Sequence, residues 1–215
     1  MKKHYSFFAV ALFALLALTS FKLSPTKSRW VSLFDGKTLN NWKVGKNAGT
    51  FTVENNMIVA NGDVAHLFYD GDFNKHNFKN FEFKADVMTT AGSNSGIYFH
   101  TAFQQEGWPA KGYEVQVNNS HTDWRRTGSL YAIEDVKEVF VKDNEWFTEY
   151  VKVSGKHVVI KINKRTVVDY TEPENVKRDA NMDQRVISNG TFALQGHDPK
   201  SKVYFKNIMV KLLKD

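Results

Sequence analysis

The sequence predicts an all-β protein in which two antiparallel sheets pack face to face as a sandwich or jelly roll. Short runs rich in Phe, Val and Ile recur along the chain, and turn residues separate them, as is typical of antiparallel strands. Helical periodicity is hard to find over any window of about a dozen residues. Only residues 134–140 could form a helical turn or two.

The first 20 residues have the pattern of a secretory signal peptide. Lys2 and Lys3 precede an apolar run over residues 7–18, and two small residues follow it. This run is shorter than the roughly 20 residues that cross a bilayer, and an uncleaved N-terminal anchor is the alternative. We therefore expect an exported protein, in the periplasm or outside the cell, with no membrane attachment once the signal is removed.

Residues 21–29 form a polar linker in this interpretation, and residues 30–215 form a single domain. The chain contains no cysteine, which excludes a lipid anchor on that residue type. The net charge of +6 is misleading, because residues 1–29 hold five basic residues and no acidic one. The 24 basic residues that remain face 23 acidic ones. Nucleic acid is therefore not an expected partner, since the domain cannot neutralise many phosphates.

The expected strands follow one another in a regular order. Residues 51–53 and 57–60 flank a short turn and should form a hairpin, and residues 81–88 alternate between apolar and polar. Further strands are expected at residues 92–100, 113–118, 147–153, 158–162, 166–170, 192–195 and 203–212. Such a fold usually closes by placing its last strand beside its first, which would pair residues 206–212 with residues 30–34.

Two of these strands carry polar side chains on a face where a purely structural strand would not need them. In the strand that ends at Asn118, the side chains of Glu114, Gln116 and Asn118 share one face, opposite three apolar ones. In the preceding strand, Tyr98 and His100 are expected to share a face. One face of each strand can then enter the core while the other presents the hydrogen-bonding groups of a sugar site.

The single carboxylate on this polar face restricts the chemistry. Glycoside hydrolysis ordinarily uses two carboxylates about 5 to 9 Å apart, whereas the face of Glu114 offers one acid and two amides. One base with amide partners suits proton abstraction beside a carbonyl, or binding without catalysis. A solvated glutamate on an open face is the alternative interpretation of Glu114.

Histidines and aromatic residues supply further candidates. His100 and His197 could transfer protons, since imidazole titrates near neutral pH, although a lone histidine is more often a packed or surface residue. Trp124 and Arg126 lie in a polar loop, where binding sites on sandwich folds are usually completed. The aromatic side chains that could stack on a sugar ring, unless they belong to the core, are Tyr98, Trp108, Trp124 and Tyr131.

No cofactor is expected, with calcium as the alternative left open. The seven histidines include no pair at zinc-binding spacing. The glycines of the segment GSNSG do not lie between a strand and a helix, so they do not form a phosphate loop. Asp70 and Asp72 could ligate calcium, but an Asp-Gly-Asp segment in a loop is usually only a turn.

Several segments taken together resemble the 3-keto-disaccharide hydrolase domain family. They are LFDGKTLNNW, GSNSGIYF, GYEVQV, TGSLY and ALQGHDPKSKVYFKNIMVKL, and they extend over nearly all of residues 30–213. The resemblance implies a concanavalin-like lectin and glucanase jelly roll. It also implies a hydrolase that cleaves glycosides whose ring has been oxidised at carbon 3, so that a carbohydrate is the expected partner.

The chemistry implied by the resemblance needs only one base. A ketone at carbon 3 acidifies the hydrogen on carbon 2, so that one base can remove it before the aglycone leaves carbon 1 and water adds to the enone. On the matched motifs, Glu114 would be the base and His197 a second proton-transfer group. The residues expected to bind the sugar are Ser95, Tyr98, Gln116 and Gln195, and we add His100, Trp124, Arg126 and Tyr131 from the neighbouring strands and loops.

Two interpretations from other classes stay open. A non-catalytic carbohydrate-binding module would use the same aromatic and amide side chains without turning over a substrate. An adhesion or structural domain would not need the side chains of Glu114, Tyr98 and His197 to converge on one cavity.

Overall fold

The computed structural model describes Met1 and residues 29–214. The predicted signal peptide over residues 1–20 and the predicted linker over residues 21–29 therefore lie, apart from Met1 and Arg29, outside the described residues. Nowhere in the described part of the chain is there a helix with the length and apolarity that crossing a bilayer requires.

The strands of the described residues form two antiparallel sheets, which confirms the all-β prediction. In chain order the strands are β1 (Val31–Ser32), β2 (Trp42–Val44), β3 (Phe51–Glu54), β4 (Met57–Ala60), β5 (Ala65–Tyr69), β6 (Phe81–Thr89), β7 (Ser95–Thr101), β8 (Tyr113–Val117), β9 (Phe147–Ser154), β10 (His157–Ile162), β11 (Arg165–Thr171), β12 (Thr191–Gly196) and β13 (Val203–Leu212). Two short 3-10 turns, Ala48–Thr50 and Phe73–His76, lie in the connections.

The larger sheet has the order β11-β10-β9-β6-β13-β4-β3, with β1 also paired to β13, and the smaller sheet has the order β2-β5-β12-β7-β8. The hairpin β3–β4 and the meander β9-β10-β11 lie where the sequence predicted them. The closing strand pairs with the first, as predicted, through Val31 beside Val210 and Ser32 beside Met209. Neither β2 nor β5 was predicted, because both are short and neither alternates clearly between apolar and polar residues.

The prediction of helical turns at residues 134–140 is wrong. Backbone groups in this segment form hydrogen bonds with another part of the same loop, and not in the successive pattern of a helix. The N–H of Val136 donates to Oγ of Ser129 at 2.9 Å, and its carbonyl accepts the N–H of Arg126 at 2.9 Å. Ala132 has a φ of 60°, and its N–H donates to the carboxylate of Asp135 at 2.9 Å. These bonds remove the groups that a helix would use.

The two sheets differ in how they are buried. In β6 and β9 of the larger sheet, buried and partly exposed residues alternate, because one face packs on the core and the other meets solvent. In β5, β7, β8 and β12 of the smaller sheet every residue is buried. The inner face of the smaller sheet joins the core, so its outer face must be covered by side chains and loops.

Large aromatic side chains fill the space between the sheets. Phe192 on the smaller sheet contacts Phe81 and Phe83 on the larger one, with ring centroids 4.9 and 4.6 Å apart. Each buried phenylalanine contributes about 1.5–3 kcal/mol through the removal of apolar surface from water. This packing makes the smaller sheet a firm support for whatever lies on its outer face.

Candidate functional site

The outer face of the smaller sheet carries a row of polar side chains drawn from three neighbouring strands. Glu114 on β8 lies directly beside Tyr98 on β7, and Gln195 extends from β12. The residues between them along each strand, such as Ile97 and Val115, belong to the core. A cavity of about 280 Å³ opens over this face. It is lined by Asn94, Tyr98, Trp108, Glu114, Gln116, Asp123, Tyr131, Asn181, Met182, Arg185, Gln195 and His197.

Glu114 lies at the centre of a hydrogen-bond network. The hydroxyl of Tyr98 donates to Oε2 of Glu114 at 2.8 Å, and Nε2 of Gln195 donates to Oε1 at 2.9 Å. A guanidinium nitrogen of Arg185 lies 3.9 Å from Oε2. Gly96, on the neighbouring strand, makes room for this carboxylate, because a Cβ built there would collide with Oε1.

The protonation of Glu114 reflects two opposed influences. Burial raises the pKa of the carboxyl, and this effect is the larger one. The positive charge of Arg185, the donors Tyr98 and Gln195, and the charge of His197 act to lower the pKa. Burial also raises the pKa of the Tyr98 hydroxyl well above its usual range, and the charge of Glu114 raises it further. Tyr98 is therefore a fixed hydrogen-bond donor, and Glu114 is a stronger base than an exposed carboxylate.

The amide side chains on this face are oriented by their neighbours. Nε2 of Gln195 is committed to Glu114, which fixes the amide, and its Oε1 is buried with no hydrogen-bond partner among the described residues. Nε2 of Gln116 donates to Oδ1 of Asn94 at 2.9 Å. A buried carbonyl oxygen without a donor is costly, so Oε1 of Gln195 is suited to accept a hydrogen bond from a ligand hydroxyl.

His197 and Asp198 form a pair at the rim of the cavity. Nδ1 of His197 lies 2.8 Å from Oδ2 of Asp198. Burial raises the pKa of Asp198, but hydrogen bonds from Ser201, His197 and Lys200 outweigh this effect and lower the pKa to about 2. The carboxylate is therefore ionised at neutral pH. An ionised carboxylate at Nδ1 holds the proton on that nitrogen and leaves Nε2 free to accept one. The ring of His197 also lies 5.4 Å from that of Trp108.

One group of side chains in the described residues has the composition of a metal site. His121, His197 and Asp198 each offer a ligand atom, and these atoms lie within 4.8 Å of one another. The carboxylate of Asp198 already accepts bonds from His197 and Ser201, so in this arrangement it orients the histidine. At the segment considered for calcium, Asp70 lies 3.8 Å from exposed His76, and Asp72 joins no such group.

Six of the residues named from the sequence line this one cavity: Glu114, His197, Tyr98, Gln116, Tyr131 and Gln195. Trp108, considered from the sequence as a stacking residue, lines it as well. Convergence of Glu114, Tyr98 and His197 contradicts the expectation for an adhesion or structural domain.

Ser95 and His100 do not line the cavity. Oγ of Ser95 donates to the backbone carbonyl of Gln195 at 2.6 Å and so joins two strands. The prediction that His100 shares a face with Tyr98 is wrong, because His100 has a φ of 55°, which interrupts the alternation of the strand. Its ring packs against Phe81 and Phe99 instead, and Nε2 lies 2.9 Å from the carbonyl of Lys79.

Trp124 and Arg126 also lie away from the cavity lining. The Trp124 side chain is 47% exposed and stacks on the guanidinium of Arg125. Nη1 of Arg126 donates to the carbonyls of His121 and Asp123, each at 2.8 Å, and thereby holds the loop together. The bonds of Arg126 therefore hold the loop that carries Asp123 into the cavity.

Arg185 was not predicted from the sequence, although its guanidinium lies 3.9 Å from the carboxylate of Glu114. Arg185 is 9% exposed and lies 5.3 Å over the ring of Tyr131. It belongs to the irregular segment between β11 and β12, where no periodicity indicates which side chains turn inward. Asn181 and Met182 line the cavity from the same segment. Only the long gap between strands could have drawn attention to it.

The chain matches the family described as the 3-keto-alpha-glucoside-1,2-lyase-like domain over residues 29–211. A 3-keto-disaccharide hydrolase of Bacteroides thetaiotaomicron is 29% identical over 185 residues, covering 74% of this chain and 61% of that protein. The chain therefore spans about three fifths of the length of this relative.

Solved structures share the fold. One from Parabacteroides distasonis is 24% identical, covers 86% of this chain and 94% of its own, and has a TM-score of 0.72. The carbohydrate-binding module CBM66 from Bacillus subtilis is 15% identical, with coverages of 80% and 95% and a TM-score of 0.55. The endo-beta-1,3(4)-glucanase SCLam is 12% identical, with coverages of 87% and 91% and a TM-score of 0.52. These likenesses establish the lectin and glucanase jelly roll.

Proposed function

The chain belongs to the 3-keto-alpha-glucoside-1,2-lyase-like domain family, and from this we propose that it cleaves glycosides whose sugar ring carries a ketone at carbon 3. The name of the Bacteroides thetaiotaomicron relative supports a 3-keto-disaccharide as the substrate. The observation that carries the proposal is the buried carboxylate of Glu114, which lines a sugar-sized cavity together with His197.

The proposed reaction begins with removal of the proton on carbon 2. The electron pair of that C–H bond passes into the enolate of the neighbouring ketone, and it then expels the aglycone oxygen from carbon 1. The departing oxygen takes up a proton and leaves as an alcohol, so that a double bond joins carbons 1 and 2. Addition of water across this bond, hydroxide to carbon 1 and a proton to carbon 2, completes a net hydrolysis.

Glu114 is the proposed base for the first step. Its donors, Tyr98 and Gln195, hold the carboxylate in one place, and burial raises its pKa towards the value that a general base needs. Arg185 supplies the positive charge in the cavity that can stabilise the developing enolate.

His197 is the proposed second proton-transfer group. Asp198 occupies its Nδ1, so Nε2 is the atom that would exchange a proton with the aglycone oxygen or with water. This arrangement divides the two proton transfers between a carboxylate on the sheet and an imidazole at the rim.

A conventional pair of carboxylates would need a second acid, and Asp123 is the other carboxylate that lines the cavity. Its Oδ1 accepts the backbone N–H of Arg125 at 3.0 Å and lies 3.9 Å from the guanidinium of that residue. Because these contacts commit the carboxylate to the loop, we assign Asp123 no part in the chemical step.

The decisive experiment compares Glu114→Gln with Asp123→Asn on a 3-keto-glucoside in deuterated water. Exchange of the carbon-2 hydrogen reports the first step, and release of aglycone reports the second. Glu114→Gln should slow both by about 10²–10⁴-fold, the usual contribution of a general base, and still bind the substrate. Asp123→Asn should retain turnover.

Unchanged rates in Glu114→Gln would remove this residue from the mechanism. Equal loss in both variants would instead favour a two-carboxylate glycosidase. Calorimetric binding of unoxidised glycans by the wild type, with no product formed from 3-keto-glycosides across neutral pH and with calcium supplied, would favour a carbohydrate-binding module. Export, which the pattern of residues 1–20 supports, is part of the same proposal and is tested by cell fractionation.

A further inference from the structure

A second cavity adjoins the one over Glu114. It measures about 220 Å³, and its lining includes Lys46, His66 and the loop segment from Gln104 to Gly107. Trp108, the next residue of this loop, lines the first cavity, and its ring lies 5.6 Å from that of His66. The two cavities therefore lie on either side of one wall, formed by Trp108 and His66.

His66 extends from β5 on the same sheet face as the proposed catalytic groups, since it pairs directly with Gln195. The residue is only 5% exposed, and its Nε2 is buried with no hydrogen-bond partner among the described residues. Burial, and secondarily the charge of His197, lower the pKa of the ring to about 3, so it is neutral in the working range. The ring is held edge-on against Tyr98, 5.3 Å between centroids.

The outer wall of the second cavity is a braced loop. Nε2 of Gln104 donates to the carbonyls of Glu106 and Trp108, at 2.6 and 2.9 Å, and its Oε1 accepts the N–H of Ala110. The backbone of Gln105 accepts the N–H of Lys46 at 2.8 Å. The wall is thus built before any ligand arrives, as a specific binding site requires.

The sizes of the cavities suit one sugar ring each. Sites for drug-sized ligands usually measure about 300–1,000 Å³, and each of these cavities falls below that range. Aromatic side chains such as Trp108 offer faces on which sugar rings pack, and a buried neutral imidazole suits a hydroxyl partner. A ligand of two rings that straddles Trp108 would use both features.

We infer that the second cavity binds the sugar released as the leaving group, with Nε2 of His66 hydrogen-bonded to one of its hydroxyls. This inference rests on the proposed function and adds to it the cavity and the residue that recognise the second ring of the substrate. It makes His66 a specificity-determining residue and leaves the chemistry on the first ring to Glu114 and His197.

The test uses two substrates with the same reacting ring, a 3-keto-disaccharide of two glucose units and the methyl 3-keto-glucoside. His66→Phe keeps a ring against Tyr98 and Trp108 and removes the nitrogen. It should lower kcat/KM for the disaccharide about three- to tenfold, as expected for the loss of one hydrogen bond, and leave the methyl glycoside unchanged. Thr101→Val is the matched control, because Oγ1 of Thr101 is also buried without a partner but lies outside both cavities.

An equal effect of His66→Phe on both substrates, or none on either, would overturn the inference. Failure of the wild type to turn over either substrate would defeat the proposed function instead. In that event calorimetry with the unoxidised disaccharide and methyl glucoside decides separately, since His66→Phe should weaken binding of the disaccharide alone. If His66→Phe weakened binding of both ligands equally, or if the wild type did not bind the disaccharide, the inference of a second subsite would be overturned.

Discussion

Gly96 shows how one backbone position secures the site. It lies opposite Gln116 on β8, and the absence of a side chain leaves the space that the carboxylate of Glu114 occupies. Hydrogen bonds from Tyr98 and Gln195 are made only when Glu114 takes this place. The residue at position 96 therefore affects the placement of the proposed base, although Gly96 itself offers no functional group.

We predict that Gly96→Ala displaces the Glu114 carboxylate and lowers turnover of a 3-keto-glucoside by about tenfold or more, because a general base must lie within hydrogen-bond reach of its proton. Steady-state kinetics measures this, with thermal unfolding to verify the fold. Gly92→Ala is the control, since no atom lies near a Cβ there, although its φ of 72° adds some strain. Full activity in Gly96→Ala would show that the position of Glu114 does not matter.

Asp198 gives a second prediction at this scale. Asp198→Asn cannot hold the proton on Nδ1 of His197 as an ionised carboxylate does, so kcat should fall about tenfold or more while KM changes little. Lys200→Ala is the control, because only the backbone N–H of Lys200 bonds to Asp198. If Asp198→Asn instead raised KM about tenfold and left kcat unchanged, His197 and Asp198 would be assigned to substrate binding.

At the scale of elements, the segment between β11 and β12 brings Arg185 to the sheet and is held there by Arg178. The guanidinium of Arg178 donates to the hydroxyls of Tyr113 and Tyr170, at 2.8 and 2.9 Å, and to the backbone carbonyl of Arg185 at 2.9 Å. Glu172 accepts bonds from the hydroxyl of Tyr113 and from the N–H of Ile187. A segment without regular secondary structure is thus fixed through buried charged groups.

We predict that Arg178→Gln weakens substrate binding and destabilises the protein by about 3 kcal/mol, because it leaves the buried Glu172 without its cation. Lys156→Ala removes an ion pair with the exposed Glu174 in the same part of the chain and should cost less than about 1 kcal/mol. Urea unfolding and KM for a 3-keto-glucoside measure both variants. If KM rose in Lys156→Ala, or did not rise in Arg178→Gln, the role of Arg178 in positioning Arg185 would be contradicted.

The strands that the sequence predicted best are those in which apolar and polar residues alternate regularly. The hairpin, the meander and the closing strand of the larger sheet were predicted because one face of that sheet meets solvent, so that apolar residues occur at every second position. Strand β5 is buried on both faces and shows no such signal. Arg185 and Asp123 come from irregular segments, whose inward side chains depend on long-range contacts that no local pattern encodes.

On the scale of the whole molecule, one of the buried acids among the described residues lies on the larger sheet. Glu149 on β9 is fully buried, and neither of its carboxylate oxygens has a hydrogen-bond partner among the described residues. Burial raises its pKa well above the usual value, and the charge of Glu114 raises it further. Glu149 is therefore neutral in the folded protein over a range in which the unfolded chain would ionise it.

We predict that the free energy of unfolding falls as pH rises above the ordinary pKa of a glutamate, 4.5, towards the raised pKa of Glu149 in the folded state. The sign follows because the folded state retains a proton that the unfolded state releases, and the contribution of one proton is about 1.4 kcal/mol per pH unit. Glu149→Gln should flatten this dependence, and Glu149→Met should stabilise the protein at pH 7 by about 1–3 kcal/mol. Urea unfolding at pH 5, 6, 7 and 8 measures both. If the free energy of unfolding of Glu149→Gln depended on pH as strongly as that of the wild type, Glu149 would not be the group responsible.

Four strands of the smaller sheet are buried on both faces, and this restricts which residues can change during evolution. A change at Tyr98 or Gln195 disturbs packing and chemistry together, so these positions can be altered only in concert with their neighbours. The braced loop that ends in Trp108, by contrast, contributes no strand to either sheet and can be exchanged at little cost to folding. Under the proposed function, descendants of one ancestor could thus acquire new leaving-group preferences by exchanging loops, while Glu114 remains the proposed base.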